Sequence, residues 1–259
     1  MIQSPVRRVK FIFALAILAI GLASCQADRG PAGPPGPSSI HLSGSIARDW
    51  YGAPITAQIQ VFESPSIPSA TINGLVCTLS NNGQYGHFDF ELSDSSFQAG
   101  DSFHIEVQYQ DPASGPALAY ADVILPGSFE ITSHDSDLAQ IPFGADLVLE
   151  WNASAGADCY FVDIYFHYSF WDTLGLYRSF WLETDTLIAD TTITFDAERI
   201  FPQAGLFGEL NPSLSNGWID LRAESGPWQA GDQANVHGDG NGIIRGRTFG
   251  AHLFLLVIE

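Results

Sequence analysis

Ser102-Phe103-His104-Ile105-Glu106-Val107-Gln108-Tyr109-Gln110 alternates polar and apolar side chains without a slip. A strand sends successive side chains to opposite faces, so Phe103, Ile105, Val107 and Tyr109 read as the buried side of a half-exposed strand. The same period of two extends outward from this segment. Ile40, Leu42, Gly44 and Ile46 alternate with polar neighbours, and Ile55, Ala57, Ile59 and Val61 do so again after the turn residues Tyr51-Gly52-Ala53-Pro54. Asn81-Asn82-Gly83 is hairpin chemistry ahead of a strand over Tyr85 to Leu92, and Ala119 to Leu125 reads as another strand. Up to Pro126 no helical period persists, which predicts a β-sandwich over 40–127.

A junction rich in Ser, Asp and His follows over 128–142, and the period of two resumes beyond it. Leu147, Leu149 and Trp151 share one face of a strand, Ala155-Gly156-Ala157-Asp158 is a turn, and Tyr160, Val162, Ile164 and Phe166 are the inward set of the next strand. Later, Ile219, Leu221 and Ala223 face in while Asp220, Arg222 and Glu224 face out. The closing run Leu253 to Ile258 is continuously apolar and predicts a strand buried on both faces. Between them 197–216 forms an oversized middle that fits a short helix, a long loop or part of a site. The expected fold class is all-β, with two tandem β-sandwich domains over 40–127 and 143–259.

Ahead of the sandwiches lies an export leader. Arg7, Arg8 and Lys10 precede the apolar run Phe11 to Leu22, and small residues lead to a cysteine. Twelve residues as a helix reach about 18 Å, short of a hydrocarbon core about 30 Å thick, so this segment targets the chain and does not span a bilayer. Leu22-Ala23-Ser24-Cys25 resembles the lipobox of bacterial lipoproteins. That resemblance implies cleavage of a 1–24 signal peptide, acylation (palmitate included) at Cys25, and membrane attachment through the acyl chains. Gln26, where an inner-membrane retention signal would place Asp, favours the outer membrane by the same resemblance. Residues 25–39 form a linker whose Gly30-Pro31-Ala32-Gly33-Pro34-Pro35-Gly36-Pro37 run has too few triplets for a collagen helix. It reads instead as a polyproline spacer of about 25 Å.

Two further resemblances attach to the sandwiches. Leu42-Ser43-Gly44-Ser45-Ile46, Gly52-Ala53-Pro54-Ile55, Asn82-Gly83-Gln84-Tyr85 and Ala99-Gly100-Asp101-Ser102-Phe103 are similar to the turns and strands of carboxypeptidase regulatory-like (prealbumin-like) domains. This likeness implies a module with no active site. The Trp151 to Tyr160 spacing and the strand running into Ser225-Gly226-Pro227 resemble the fibronectin type III pattern, an Ig-like fold, over 143–259. Phe97-Gln98-Ala99-Gly100-Asp101 recurs as Trp228-Gln229-Ala230-Gly231-Asp232, which reads as one turn device used twice.

Charge and cysteines narrow the function classes. Loss of the leader removes three of the ten Lys+Arg and no acid, leaving seven arginines against 29 Asp+Glu and a formal charge of −22 in place of −19. Such a surface repels phosphate backbones and anionic headgroups, which excludes nucleic-acid binding and polybasic membrane docking. With Cys25 assigned to lipid, Cys77 and Cys159 fall in different predicted domains and read as two thiols. No CxxC or Cys/His spacing suits zinc, and no cofactor is expected.

The richest aromatic segment runs from Tyr160 to Trp181. If Tyr160, Val162 and Ile164 face the core, parity sends Phe161, Asp163, Tyr165 and His167 outward, and of these Phe161, Tyr165 and His167 carry rings. With Trp171 these are the candidate ligand-binding residues, because flat rings stack on pyranose faces while polar neighbours bond hydroxyls. The competing reading is that the row packs on another element or pairs across a hairpin. Asn235 to Gly242 superficially resembles a calcium loop, but the twelfth position is Gly246 where an acid is required, so a glycine-rich loop is favoured. Ser133-His134-Asp135-Ser136-Asp137 reads as a solvated linker. There is no G-x-S-x-G, H-E-x-x-H, Walker or G-x-G-x-x-G motif, so catalysis is not expected. A hydrolase ranks third, behind an envelope interaction or adhesion module and a glycan-binding lipoprotein.

Mass spectrometry of the mature N-terminus tests the placement at the envelope. An acylated Cys25 as first residue is expected, and an unmodified Cys25 or another start would overturn it.

Overall fold

A computed structural model describes residues 40–48, 54–82, 86–134, 138–202, 204–227 and 234–258. The leader, Cys25 and the spacer lie outside the described residues, as do Asp135 to Asp137 and Trp228 to Asp232. In chain order the first strands are β1 (Ile40–Arg48), β2 (Ile55–Phe62), β3 (Ser69–Ile72), β4 (Leu75–Val76), β5 (Thr78–Asn82), β6 (Phe88–Asp94), β7 (Ser102–Asp111) and β8 (Gly115–Ile124). They are followed by β9 (Leu138–Pro142), β10 (Leu147–Glu150), β11 (Cys159–Asp172), β12 (Tyr177–Ile188) and β13 (Thr192–Phe195). After the short helix α1 (Ala197–Ile200) come β14 (Phe207–Leu210), β15 (Asn216–Ser225), β16 (Val236–Gly238) and β17 (Gly240–Ile258). The fold is all-β, as the alternation predicts.

Local chemistry sets the hairpins. Between β7 and β8 the Asp111 carboxylate accepts from the Ala113 and Ser114 amides at 2.7 and 2.8 Å, and Gly115 takes a φ of +88° that other residues rarely adopt. Phe103, Ile105, Val107 and Tyr109 are then all buried.

One ten-stranded sheet runs β12-β11-β15-β17-β1-β2-β6-β5, with β14 beside β11 and β9 beside β17. A five-stranded sheet, β16-β8-β7-β3-β4, covers one part of it, and the β10-β13 pair with α1 covers another. Two cores result. The first gathers Ile40, Leu42, Ile59, Phe103, Ile105 and their neighbours; the second gathers Leu149, Trp151, Tyr168, Phe195, Phe201 and Leu221 with theirs.

Both cores use β17. Its first half pairs parallel with β1 and antiparallel to the end of β15, and its second half pairs with β15 on one side and parallel with β9 on the other. Ile244 and Thr248 point inward, and so do Leu253, Leu255 and Val257. Even numbers become odd because the ladder with β15 slips by one residue, from Arg222 opposite Phe249 to Leu221 opposite Ala251. An extra residue in a strand flips the parity of everything after it. Gly250 supplies it. A Cβ at Gly250 would run into the Phe129 ring, so this bulge needs a residue without one. Both cores therefore lie on one face of the long sheet, and the alternate side chains of β17 turn to the other.

Several expectations are revised. Val236 and Ile244, read as part of the second sandwich, pack in the first core. Residues 128–142, read as a junction, contribute Phe129, Ala139 and Ile141 to the second core and the strand β9. The closing run Leu253 to Ile258 is not buried on both faces: Phe254 is 44% exposed, because no layer among the described residues covers the outer side of β17 there. The 197–216 segment is a helical turn and short strand whose Ile200, Phe201 and Leu210 plug the second core. Around 235–242 the Asn235 side chain brackets the Ile244 amide and carbonyl, and Asp239 accepts from the Leu118 amide at 3.0 Å. That loop is pinned to strands. Cys77 and Cys159 are buried thiols and not a disulfide, and burial pushes the Cys77 thiol up to about 11.

Gly250→Ala is expected to cost roughly 1–3 kcal/mol by overpacking. In urea unfolding, Phe129→Leu should relieve part of that cost, and strictly additive effects in the double variant would mean that the two sites do not meet.

Candidate functional site

The outer face over the second core is built in cross-strand rows. Register places His252, Asp220, Asp163 and Asp185 side by side across β17, β15, β11 and β12. On one side of this row lies Phe254, Trp218, Tyr165 and Glu183, and beyond that Leu256, Asn216, His167 and Trp181. On its other side lies Phe249, Arg222, Phe161 and Leu187.

Phe161, Tyr165 and His167 thus share the outer face, but their rings are engaged by neighbours. Tyr165 stacks on Trp218 with centroids 4.1 Å apart, His167 stacks on Trp181 at 3.9 Å, and the Arg222 guanidinium lies 3.9 Å over Phe161. Rings stacked across adjacent strands stand on the sheet and present their edges outward. Trp171 is set apart at the hairpin end of β11, edge-on to Tyr177 at 5.5 Å, and 38% exposed. The adjoining turn is held by Asp172, which accepts from the Leu174 and Leu176 amides and from Arg178. The large exposed rings of the face belong instead to Trp181, 58% exposed on edge strand β12, and to Phe254. Sequence reasoning missed both as site residues, along with Trp218. The alternation Trp181, Glu183, Asp185, Leu187 carries the signal for the first.

Three directly opposed aspartates are costly, since like charges opposite one another destabilise a sheet. His252 offsets one end at 2.7 Å from Asp220. Burial, followed by the charge of Asp220, raises the Asp163 carboxyl above its ordinary value. Among the described residues no group of His, Cys, Asp or Glu has the disposition to hold a metal ion. Burial lowers His167 below the ordinary imidazole value. Its Nε2 lies 2.7 Å from the Ser179 hydroxyl and 3.3 Å from that of Ser169. A serine beside a histidine suggests a nucleophile and base, but the third group here is a hydroxyl and not an orienting carboxylate.

Toward the first core the face changes character. Arg222, Arg245 and Arg247 gather near Glu224, which is fully buried; Arg222 Nε is 2.7 Å from Glu224 Oε1 and Arg247 Nε is 4.0 Å from Oε2. Burial pushes Glu224 up against the pull of its arginines, and burial lowers Arg247 against the pull of Glu224. Past them opens a trough of about 500 Å3 whose lining includes Ser43, Ser45, Gln58, Gln60, Asp89 and Arg245.

No family model matches the chain. No curated protein matches it. Among solved structures, the three N-terminal domains of the bacteriophage RB49 Highly Immunogenic Outer Capsid protein (Hoc) are similar over 85% of this chain and 71% of that one, at 6% identity and a TM-score of 0.29. A likeness that weak carries no argument about role.

The Asp163 shift has a sign. The folded state binds this proton more tightly than the unfolded chain, so the carboxyl lowers stability as pH rises from the unfolded value near 3.9 through its raised folded value. Asp163→Asn is therefore expected to stabilise at pH 7 by roughly 0.2–1 kcal/mol, the range for opposed like charges, and to gain nothing at pH 3. Thermal unfolding at both pH values checks this, and an equal gain at pH 3 would exclude charge as the cause.

Proposed function

We propose that this chain is a non-enzymatic binding module, anchored through acylated Cys25 to a bacterial envelope membrane, the outer one by preference. Its recognition surface is the uncovered face of the long sheet, which meets an envelope protein or glycan. The observation carrying this reading is the exposure of Trp181 and Phe254 beside a row of carboxylates on a face that no layer among the described residues covers. The acyl chains supply the whole attachment, because the acidic surface repels anionic lipid. A binding role fits the absence of catalytic spacing in the sequence and a His167 Nε2 that meets only serine hydroxyls.

Within that reading a glycan is favoured over a protein partner by one feature. Exposed aromatic rings next to Asp185, Glu183 and Asp163 offer both an apolar surface for a sugar ring and acceptors for its hydroxyls. Phe161, Tyr165 and His167 support this surface by holding Arg222, Trp218 and Trp181 in place.

A glycan array probed with the mature chain, Trp181→Ala and Trp171→Ala tests the reading. Binding by the parent, about tenfold weaker binding by Trp181→Ala and unchanged binding by Trp171→Ala are expected. Equal binding by all three proteins would remove the aromatic face as the site.

A further inference from the structure

Only seven cationic side chains follow the leader, so where they sit is informative. Arg178 is tied to Asp172, Arg199 to Thr184, and Arg48 to Ser128. Arg222, Arg245 and Arg247 converge on one carboxylate, Glu224, on the outer face between the two cores, and Arg29 lies outside the described residues. Gathering three guanidiniums around one buried carboxylate costs mutual repulsion, which Arg247 registers from both Arg222 and Arg245.

Arg245 and Arg247 form one wall of the trough over the first core. Its floor is β1 and β2, where Ser43, Ser45, Gln58 and Gln60 face out, and its far wall carries Asp89 and Glu91 on β6. Short side chains along β1 make the concavity, and a Cβ on Gly44 would collide with the Gln58 carbonyl of β2. From β17 to β6 is three strand spacings, roughly 14 Å, wide enough for a sugar ring with its substituents. Serine and glutamine both donate and accept, which suits hydroxyls of either polarity, and carboxylates accept from hydroxyls. Guanidinium forks suit a carboxylate.

We propose that this trough is a subsite for a carboxylate-bearing sugar, so that the outer face takes a uronate-type acidic polysaccharide lying along β17. The inference rests on the outer face being the recognition surface and adds the chemistry of what it recognises. Its charge sense has a distinctive consequence. The acidic surface repels a polyanion at long range, and salt screens this beyond about 8 Å, whereas the arginine contacts act at hydrogen-bond range. Affinity is expected to hold or rise from low to physiological salt, the reverse of a general basic patch.

The test is calorimetry of the full mature chain with polygalacturonate, with the same polymer after carboxyl reduction, and with inorganic phosphate. Polygalacturonate should bind at least about tenfold more tightly than the reduced polymer, and Arg245→Gln should bring the two level. Because Arg245 also bonds the Pro227 carbonyl, Ser43→Trp, which fills the trough from β1 and keeps Arg245, is the second variant and should weaken binding equally. Equal affinity for both polymers, full affinity in both variants, or competition by phosphate at equal strength would overturn the subsite. If both polymers bind equally and Trp181→Ala abolishes that binding, the subsite alone is wrong. If no polymer binds, the subsite and the glycan reading fall together.

Discussion

The single extra residue at Gly250 decides what is inside and what is outside. Without that slip, Leu253, Leu255 and Val257 would point away from the layer that buries Ile244, and one strand could not serve two cores on the same side. With it, β17 becomes the shared floor of both cores. At about 3.3 Å per residue its 19 residues extend for roughly 60 Å, and the side chains that do not enter either core share its other face.

That surface is organised by register rather than by sequence neighbours. Each strand contributes a column, and the rows that matter are read across them: an aromatic pair, a line of three aspartates, and an arginine over a phenyl ring. The aspartate row is a local conflict that packing alone does not explain, since two of its members could be neutral residues at no cost to the core. Features that oppose stability while sitting on an uncovered face are what a binding surface is expected to carry. The stacked pairs do the opposite, stiffening the face so that Trp181 is presented without reorganisation.

Much of this was legible from the residues, for reasons that also set where legibility stopped. Phe103, Ile105, Val107 and Tyr109 could be read because alternation is a property of one strand. Parity likewise sent Phe161, Tyr165 and His167 outward correctly. Which ring would lie against Tyr165 was not legible, because Trp218 is 53 positions away in the chain and meets it only through the β11 and β15 register. Val236 and Ile244 were assigned by their place in the sequence, whereas pairing with β8 and β1 puts them in the first core. Leu253 to Ile258 misled because hydrophobicity was taken as burial. Phe254 is apolar and exposed, and its neighbours Trp218 and Leu138 make an apolar face and not an interior.

The partnership of β1 with β17 also orders events in time. His41 and Asn241 touch across a separation of 200 residues. A ribosome releases β1 long before β17 exists as a free segment, so β1 waits beside β2 with one edge unpaired. Closing so long a loop is slow, and the sheet cannot be completed from its N-terminal half alone. The final strand is therefore the keystone that is set last.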